Sequence, residues 1–138
     1  MRVLSNTELQ GAATGTSFYN DTVSATPQEL IELIGPPTYD SNKGEDKVNL
    51  EWVCKNEYGE TVTIYDWKHY QPLAMNELVN WHLGAKDGLQ TGKAKKELEA
   101  ALKIMREIDS WTEDQIETLR QIVPKEIWQT KQFFVFLF

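Results

Sequence analysis

The chain has few of the residues that build disulfides, metal sites and covalent catalysis. Its 138 residues include one cysteine, Cys54, and two histidines, His69 and His82. One cysteine excludes an internal disulfide, and these three residues lack the close spacing of a zinc site. We therefore predict a cytoplasmic protein without metal or cofactor, in which Cys54 is a packed core thiol.

Long apolar segments are also absent. A membrane-spanning helix needs about 20 apolar residues. The longest apolar run, residues 133–138, has only six residues, four of them phenylalanine. The first residues, from Met1 to Leu4, lead into polar sequence rather than into the core of a signal peptide. We therefore expect no membrane association.

The apolar run at residues 133–138 must be covered, because several exposed phenylalanines in a row are unfavourable in water. One small domain rarely covers both sides of such a segment. We therefore predict a homo-oligomer, most simply a dimer, with residues 133–138 at or near its interface. The alternative is that the segment completes the core of its own chain.

Positive charge is scarce. Lysine and arginine number 14 against 21 aspartates and glutamates, which gives a net charge of −7. A chain of this charge repels a phosphate backbone, so general nucleic-acid binding is not expected. The exception is the region from residue 86 to 106, which holds six basic and three acidic residues.

This basic region has two interpretations. It starts a predicted helix, and free amides at a helix start attract anions, so Lys93 and Arg106 are candidate contacts to a small anion. The alternative is a solvated helix face on which Lys93 pairs with Glu97 and Glu99 pairs with Lys103.

Three segments are predicted to be helices. Thr26-Pro27-Gln28-Glu29 is a capping box that opens a two-turn helix, which Gly35 ends. Apolar residues repeat at helical spacing from Thr91 onward. A second capping box, Thr112-Glu113-Asp114-Gln115, opens a helix that extends to about Val123.

Alternating or β-branched segments predict strands, with Gly59 in the turn of a hairpin. We predict one α+β domain with a body at residues 14–108 and a helical C-terminal extension at 109–138. Its small antiparallel sheet of three or four strands is packed by the N-terminal helix and the C-terminal helices. The predicted strands are residues 16–19, 22–25, 48–55, 61–68 and 78–83.

Alternation along the strand at 61–68 places Asp66 on the apolar face and Tyr65 and Trp67 on the other face. A carboxylate near a core needs hydrogen-bond donors. Two hypotheses follow. Asp66 either sits at the strand end and accepts hydrogen bonds from the backbone or a tryptophan indole, or it orients a ligand.

Aromatic residues are concentrated in this part of the chain. Tyr65, Trp67 and His69 form a row on one face, and Trp81 and His82 lie on the next predicted strand. Such a row can stack a nucleotide base or a peptide. The alternative is that a helix covers the row, which would make it part of the core.

The segments Gly15-Thr16-Ser17, Tyr65-Asp66-Trp67-Lys68 and Trp81-His82-Leu83-Gly84 occur in an order that resembles a widespread group of small tailed-bacteriophage proteins. The resemblance covers roughly residues 14–102 and assigns no activity. It implies a phage accessory protein in the host cytoplasm, of a kind that binds and disables host factors or defence signals.

We therefore expect a non-catalytic protein that binds and sequesters a small anionic host-derived ligand, such as a defence-signalling nucleotide. Aromatic side chains would stack the base, and lysine or arginine would neutralise phosphate. The alternatives are an inhibitor that binds a host protein and a small hydrolase that uses His82 and Asp66. The candidate ligand-binding residues are Ser17, Tyr65, Asp66, Trp67, Lys68, Trp81, His82, Lys93 and Arg106.

Overall fold

The computed structural model describes residues 1–122. The predictions made for the apolar run at 133–138, including its place in an oligomer interface, lie outside the described residues and stay predictions. The elements in chain order are β1 (Arg2–Val3), α1 (Asn6–Leu9), β2 (Ser17–Ala25), α2 (Pro27–Ile34), β3 (Tyr39–Asp40), β4 (Leu50–Lys55), β5 (Thr61–Tyr65), β6 (Val79–Ala85), α3 (Gly88–Asp109) and α4 (Glu113–Ile122).

The strands form one antiparallel sheet in the order β1-β4-β5-β6-β2, and β3 also pairs with β4. The α+β class is confirmed, but the sheet that residues 1–122 form has six strands where three or four are predicted. The difference comes from β1 and β3, which have two residues each and pair with opposite ends of β4. Two residues are too few to show alternation, so the sequence pattern does not reveal them.

Strand β2 also differs from its prediction. The two short strands predicted at 16–19 and 22–25 are parts of one nine-residue strand. Its pairing with β6 shifts register between Phe18 and Thr22, where Asn20 has a positive φ of 67°. Such an irregularity bends a strand and interrupts its alternation. The interruption explains why the sequence pattern looks like two separate strands.

Helix α2 confirms its predicted capping box. The Thr26 hydroxyl accepts a hydrogen bond from the amide of Glu29 at 3.1 Å, and the Glu29 carboxylate accepts one from the amide of Thr26 at 2.9 Å. Gly35 ends the helix with a φ of 102°, which favours glycine. The second box is present as well, because Thr112 and Gln115 exchange hydrogen bonds at the start of α4.

Helix α3 is the main cover of the sheet and packs mostly on β2 and β6. It begins at Gly88, three residues before the predicted Thr91, because the Asp87 side chain caps it by accepting a hydrogen bond from the Gln90 amide at 2.9 Å. Neither this helix nor any other within residues 1–122 is long and apolar enough to cross a membrane. Its buried stripe is Thr91, Ala94, Leu98, Leu102, Met105 and Ile108.

Two tryptophans occupy the centre of the core. Trp52 and Trp81 are fully buried and meet edge to face, with ring centroids 5.3 Å apart. The indole N–H of Trp52 donates to the Gly35 carbonyl at 2.8 Å, and that of Trp81 donates to the Ala25 carbonyl at 2.9 Å. The first bond ties β4 to the C-terminal end of α2, and the second ties β6 to the end of β2, two residues before α2 begins. Cys54 is buried as predicted, and burial raises the pKa of its thiol to about 12.

Candidate functional site

The sheet face opposite α3 carries a group of aromatic side chains. Because alternate residues of a strand point to opposite faces, Tyr65 and His82 lie on the other face from the buried Ile64 and Trp81. Tyr65 stands directly opposite His82 in the pairing of β5 with β6. Tyr65 and His82 are half-buried and Trp67 is 44% exposed, so within residues 1–122 the row is not enclosed as part of the core.

We define the aromatic cluster as Phe18, Tyr65, Trp67 and His82. The imidazole of His82 is at its centre, with ring centroids 4.0 Å from Phe18, 5.6 Å from Tyr65 and 6.2 Å from Trp67. Phe18 and Trp67 remain 37% and 44% exposed. The cluster therefore presents open ring surface to solvent.

Two lysines border this surface. The Nζ atoms of Lys47 and Lys68 each lie 5.8 Å from the ring centroid of Trp67, within the range of a cation–π contact. The backbone brings them together, because the amide of Lys68 donates to the carbonyl of Lys47 at 2.8 Å. Lys68 has a positive φ of 54°, which turns the chain sharply after β5. Positive charge is thus concentrated at one edge of the aromatic cluster.

Asp66 organises the same region from the core side. It is fully buried, and its carboxylate accepts hydrogen bonds from the amides of Asn49 and Leu50 at 2.8 and 2.9 Å and from the Asn49 side chain at 2.9 Å. These bonds anchor the segment that follows Lys47. The structure thus matches the first hypothesis, a strand-end acceptor of backbone hydrogen bonds. It places Asp66 away from the exposed surface.

The hydrolase hypothesis required His82 and Asp66 to act together. They point to opposite faces of the sheet, because Asp66 is buried among the donors of Asn49 and Leu50 whereas His82 lies among the rings of the cluster. Acid–base catalysis by a pair requires both groups within reach of one substrate. This pair lacks that geometry. Partial burial lowers the pKa of His82, which favours the neutral imidazole, the form suited to stacking.

Two other members of the predicted row lie elsewhere. Trp81 belongs to the core, as described above, and is not part of the exposed surface. His69 lies beyond the end of β5 and pairs with the carboxylate of Glu77 at 2.7 Å. His69 falls outside the row because strand alternation does not continue past Tyr65, where β5 ends. Trp81 precedes His82 directly on β6, so the two side chains point to opposite faces and Trp81 faces the core.

The basic residues of α3 are also apart from the aromatic cluster. Lys93 pairs with Glu60 at 2.9 Å, and Arg106 pairs with Glu29 at 2.7 Å. The predicted Lys93–Glu97 and Glu99–Lys103 pairs are wrong, because Glu99 pairs with Lys95 instead. At the helix start, the Asp87 carboxylate caps the first turn. The structure therefore gives no support to an anion site there.

A small cleft adjoins the aromatic cluster and shares Tyr65 with it. Its volume is about 210 Å³. Ser17 and Tyr65 are predicted from the sequence, but Glu51 is not, although alternation with the buried Trp52 places Glu51 on this face. Phe18 and Lys47 are not predicted either, because their contacts depend on long-range pairing. The cleft is lined by Ala13, Thr16, Ser17, Glu51, Thr63, Tyr65 and Gly84.

No protein-family model, curated protein or solved structure matches this chain. The resemblance to small tailed-phage proteins therefore stays an expectation from sequence. Within residues 1–122, no group of three or more histidine, cysteine, aspartate or glutamate side chains is arranged to hold a metal ion. The features that bear on function are therefore the aromatic cluster, its lysines and the adjoining cleft.

Proposed function

We propose that this protein binds a nucleotide on the aromatic cluster without converting it chemically. The main support for this proposal is the partly exposed Trp67 ring, which has two lysine ammonium groups beside it. A planar base can stack on the rings, and a phosphate can pair with Lys47 and Lys68. Aromatic surface next to positive charge is the combination that single nucleotides and short strands require.

Charge favours a small ligand over a polymer. With a net charge of −7, the chain repels a long phosphate backbone, whereas two local lysines suffice for one or two phosphates. Stacking contributes about 1–3 kcal/mol per base. Micromolar binding corresponds to about 8 kcal/mol. Stacking alone is therefore insufficient, and the lysines and the cleft beside Tyr65 must contribute.

Two features support binding rather than catalysis. The imidazole of His82 has aromatic rings as its neighbours, and the carboxylate of Asp66 is on the other face of the sheet. The more specific proposal, a phage accessory protein that sequesters a host defence-signalling nucleotide, rests on the sequence resemblance alone. A protein of that kind would retain its ligand through purification.

Titration with the four common nucleoside 5′-monophosphates, followed by calorimetry, tests the binding proposal. We expect binding that weakens at least about fivefold in Trp67→Ala, since losing a stacking partner removes roughly 1–3 kcal/mol. Lys47→Ala with Lys68→Ala should weaken binding and flatten its salt dependence. Matched controls are Tyr58→Ala and Lys43→Ala, which alter exposed side chains outside the aromatic cluster.

Either of two results would contradict the proposal. One is the absence of binding to every nucleotide at millimolar concentration. The other is binding that Trp67→Ala leaves unchanged, which would place the ligand elsewhere. Mass spectrometry of small molecules released by denaturing the purified protein tests sequestration separately. A phosphate-containing heterocycle among them supports it, and turnover of a bound nucleotide to product would overturn the non-catalytic role.

A further inference from the structure

A row of three side chains connects the cleft to the aromatic cluster. Glu51, Tyr65 and His82 stand in register on β4, β5 and β6. Neighbouring strands lie about 4.8 Å apart, so one row leads from the Glu51 carboxylate through the Tyr65 ring to the aromatic cluster. A ligand that contacts Tyr65 can therefore reach both the cleft and the cluster.

The cleft stays open because of a glycine. Gly84 stands opposite Thr63, and a Cβ atom added to Gly84 would collide with the Thr63 hydroxyl and lie 3.6 Å from Cε1 of Tyr65. Any other residue at position 84 would push into the floor of the cleft. At about 210 Å³, the cleft is smaller than the roughly 300–1,000 Å³ of a complete small-molecule site. It fits one part of a ligand whose remainder lies on the aromatic cluster.

Among residues 1–122, Glu51 supplies the one charge in the cleft wall. The other lining residues are uncharged, and within residues 1–122 the Glu51 carboxylate has no hydrogen bond or ion pair. Burial raises the pKa of Glu51, with no cation acting in the opposite direction. A half-buried carboxylate is an acceptor of two hydrogen bonds, and leaving it unpaired is unfavourable. A ligand with two adjacent N–H donors would satisfy it.

We infer that this cleft selects guanine, with the Glu51 carboxylate accepting hydrogen bonds from the ring N1–H and the 2-amino group. The inference rests on the proposed nucleotide binding and assigns its base specificity. Guanine is the common base that places two donors side by side on one edge, whereas adenine places an acceptor beside its amino group. Lys47 and Lys68, at the far side of the cluster, favour a ligand whose other end is anionic. That charge distribution argues against a guanidinium cation, which also offers paired donors.

Calorimetric titration of the full chain with GMP, IMP and AMP tests the inference. IMP keeps the ring N1–H and lacks the 2-amino group. Because a hydrogen bond to a charged group contributes about 1.5–3 kcal/mol, we expect GMP to bind at least about tenfold more tightly than AMP, with IMP between them. In Glu51→Gln the GMP preference should fall to about threefold or less, with AMP affinity unchanged. The matched control is Glu57→Gln, an exposed carboxylate in the β4–β5 turn.

The outcomes separate this inference from the proposed function. If all three nucleotides bind equally, or if Glu51→Gln keeps the GMP preference, guanine selection is wrong and nucleotide binding stands. If no nucleotide binds but arginine methyl ester does, both proposals are overturned. The comparison of GMP with IMP uses the unmodified chain, so it decides the inference even if Glu51→Gln fails to fold.

Discussion

Phe18 and His82 stack face to face, with ring centroids 4.0 Å apart and ring planes 16° from parallel. Phe18 lies on β2, just before the register shift in its pairing with β6, and His82 lies on β6 just beyond it. The stack therefore joins the two strands where their regular ladder is interrupted. It also fixes the orientation of the imidazole at the centre of the aromatic cluster.

The half-buried position of His82 predicts that stability depends on pH. Burial lowers the folded-state pKa of His82 below its ordinary value of about 6.5. The unfolded chain then binds the proton at a higher pH than the folded chain, so stability falls as pH drops from about 6.5 towards the folded pKa. Above about pH 6.5, His82 has no effect on how the free energy of unfolding varies with pH. Nuclear magnetic resonance titration of the His82 ring should give a midpoint below 6.5, and a midpoint at or above this value would contradict the prediction.

Denaturation tests the same prediction through its effect on stability. The variant His82→Phe keeps a ring against Phe18 and removes the titrating group. Its free energy of unfolding should vary less with pH than that of the original chain as the pH falls below about 6.5. Identical slopes for the two proteins would show that His82 does not contribute.

Truncation of Trp81 should destabilise the protein much more than truncation of Trp67. Trp81 is fully buried and donates its indole N–H to the Ala25 carbonyl, so Trp81→Ala should cost about 3–5 kcal/mol of unfolding free energy. Trp67 is 44% exposed, so Trp67→Ala should cost less than about 1 kcal/mol. Urea denaturation measures both values. Comparable losses for the two variants would mean that Trp67 is part of the core.

Asp66 should be sensitive to a nearly isosteric change. In Asp66→Asn, one oxygen is replaced by an amino group that faces the donor Nδ2 of Asn49, now 2.9 Å from that oxygen. Asn49 cannot simply turn its amide round, because Nδ2 also donates to the Gln71 carbonyl at 3.0 Å. We expect the free energy of unfolding to fall by about 2–3 kcal/mol, because the variant loses a charged acceptor and leaves a buried donor unsatisfied.

The matched control for that change is Asp40→Asn, which alters an exposed carboxylate on β3. Its free energy of unfolding should stay within about 0.5 kcal/mol of that of the original chain. Asp66→Asn should also weaken nucleotide binding, because Asp66 anchors the segment that carries Lys47. Full stability of Asp66→Asn in urea would contradict the role assigned to these hydrogen bonds.

Local patterns predicted the elements whose signals are local. The capping box at Thr26 depends on side chains within one turn, and the alternation around Asp66 depends on its nearest neighbours in the strand. Both are present in the structure. Alternation also separated Tyr65 and Trp67 from the core face. It could not indicate which face α3 covers, because that choice depends on the packing of distant segments.

The missed parts of the site depend on contacts between distant residues. Phe18 reaches His82 only through the pairing of β2 with β6, across an irregular register. Lys47 reaches Trp67 because Asp66 anchors a loop 16 and 17 residues earlier in the chain. Glu51 was visible as an outward residue of its strand, but only the neighbouring strands make it the wall of a cleft. Alternation along a strand indicates which side chains share a face of the sheet, whereas the pairing of distant strands decides which of those side chains become neighbours.

The apolar run at residues 133–138 leads to the last prediction, which comes from sequence. Burying one phenylalanine stabilises a protein by roughly 1.5–3 kcal/mol. The four phenylalanines of this run therefore strongly favour an arrangement that removes them from water. If they lie at or near a subunit interface, light scattering at micromolar concentration should give the mass of a dimer or larger assembly, and a chain ending at Gln132 should give that of a monomer. A monomeric full-length chain would contradict the prediction. An oligomer that persists after truncation would place the interface elsewhere in the chain.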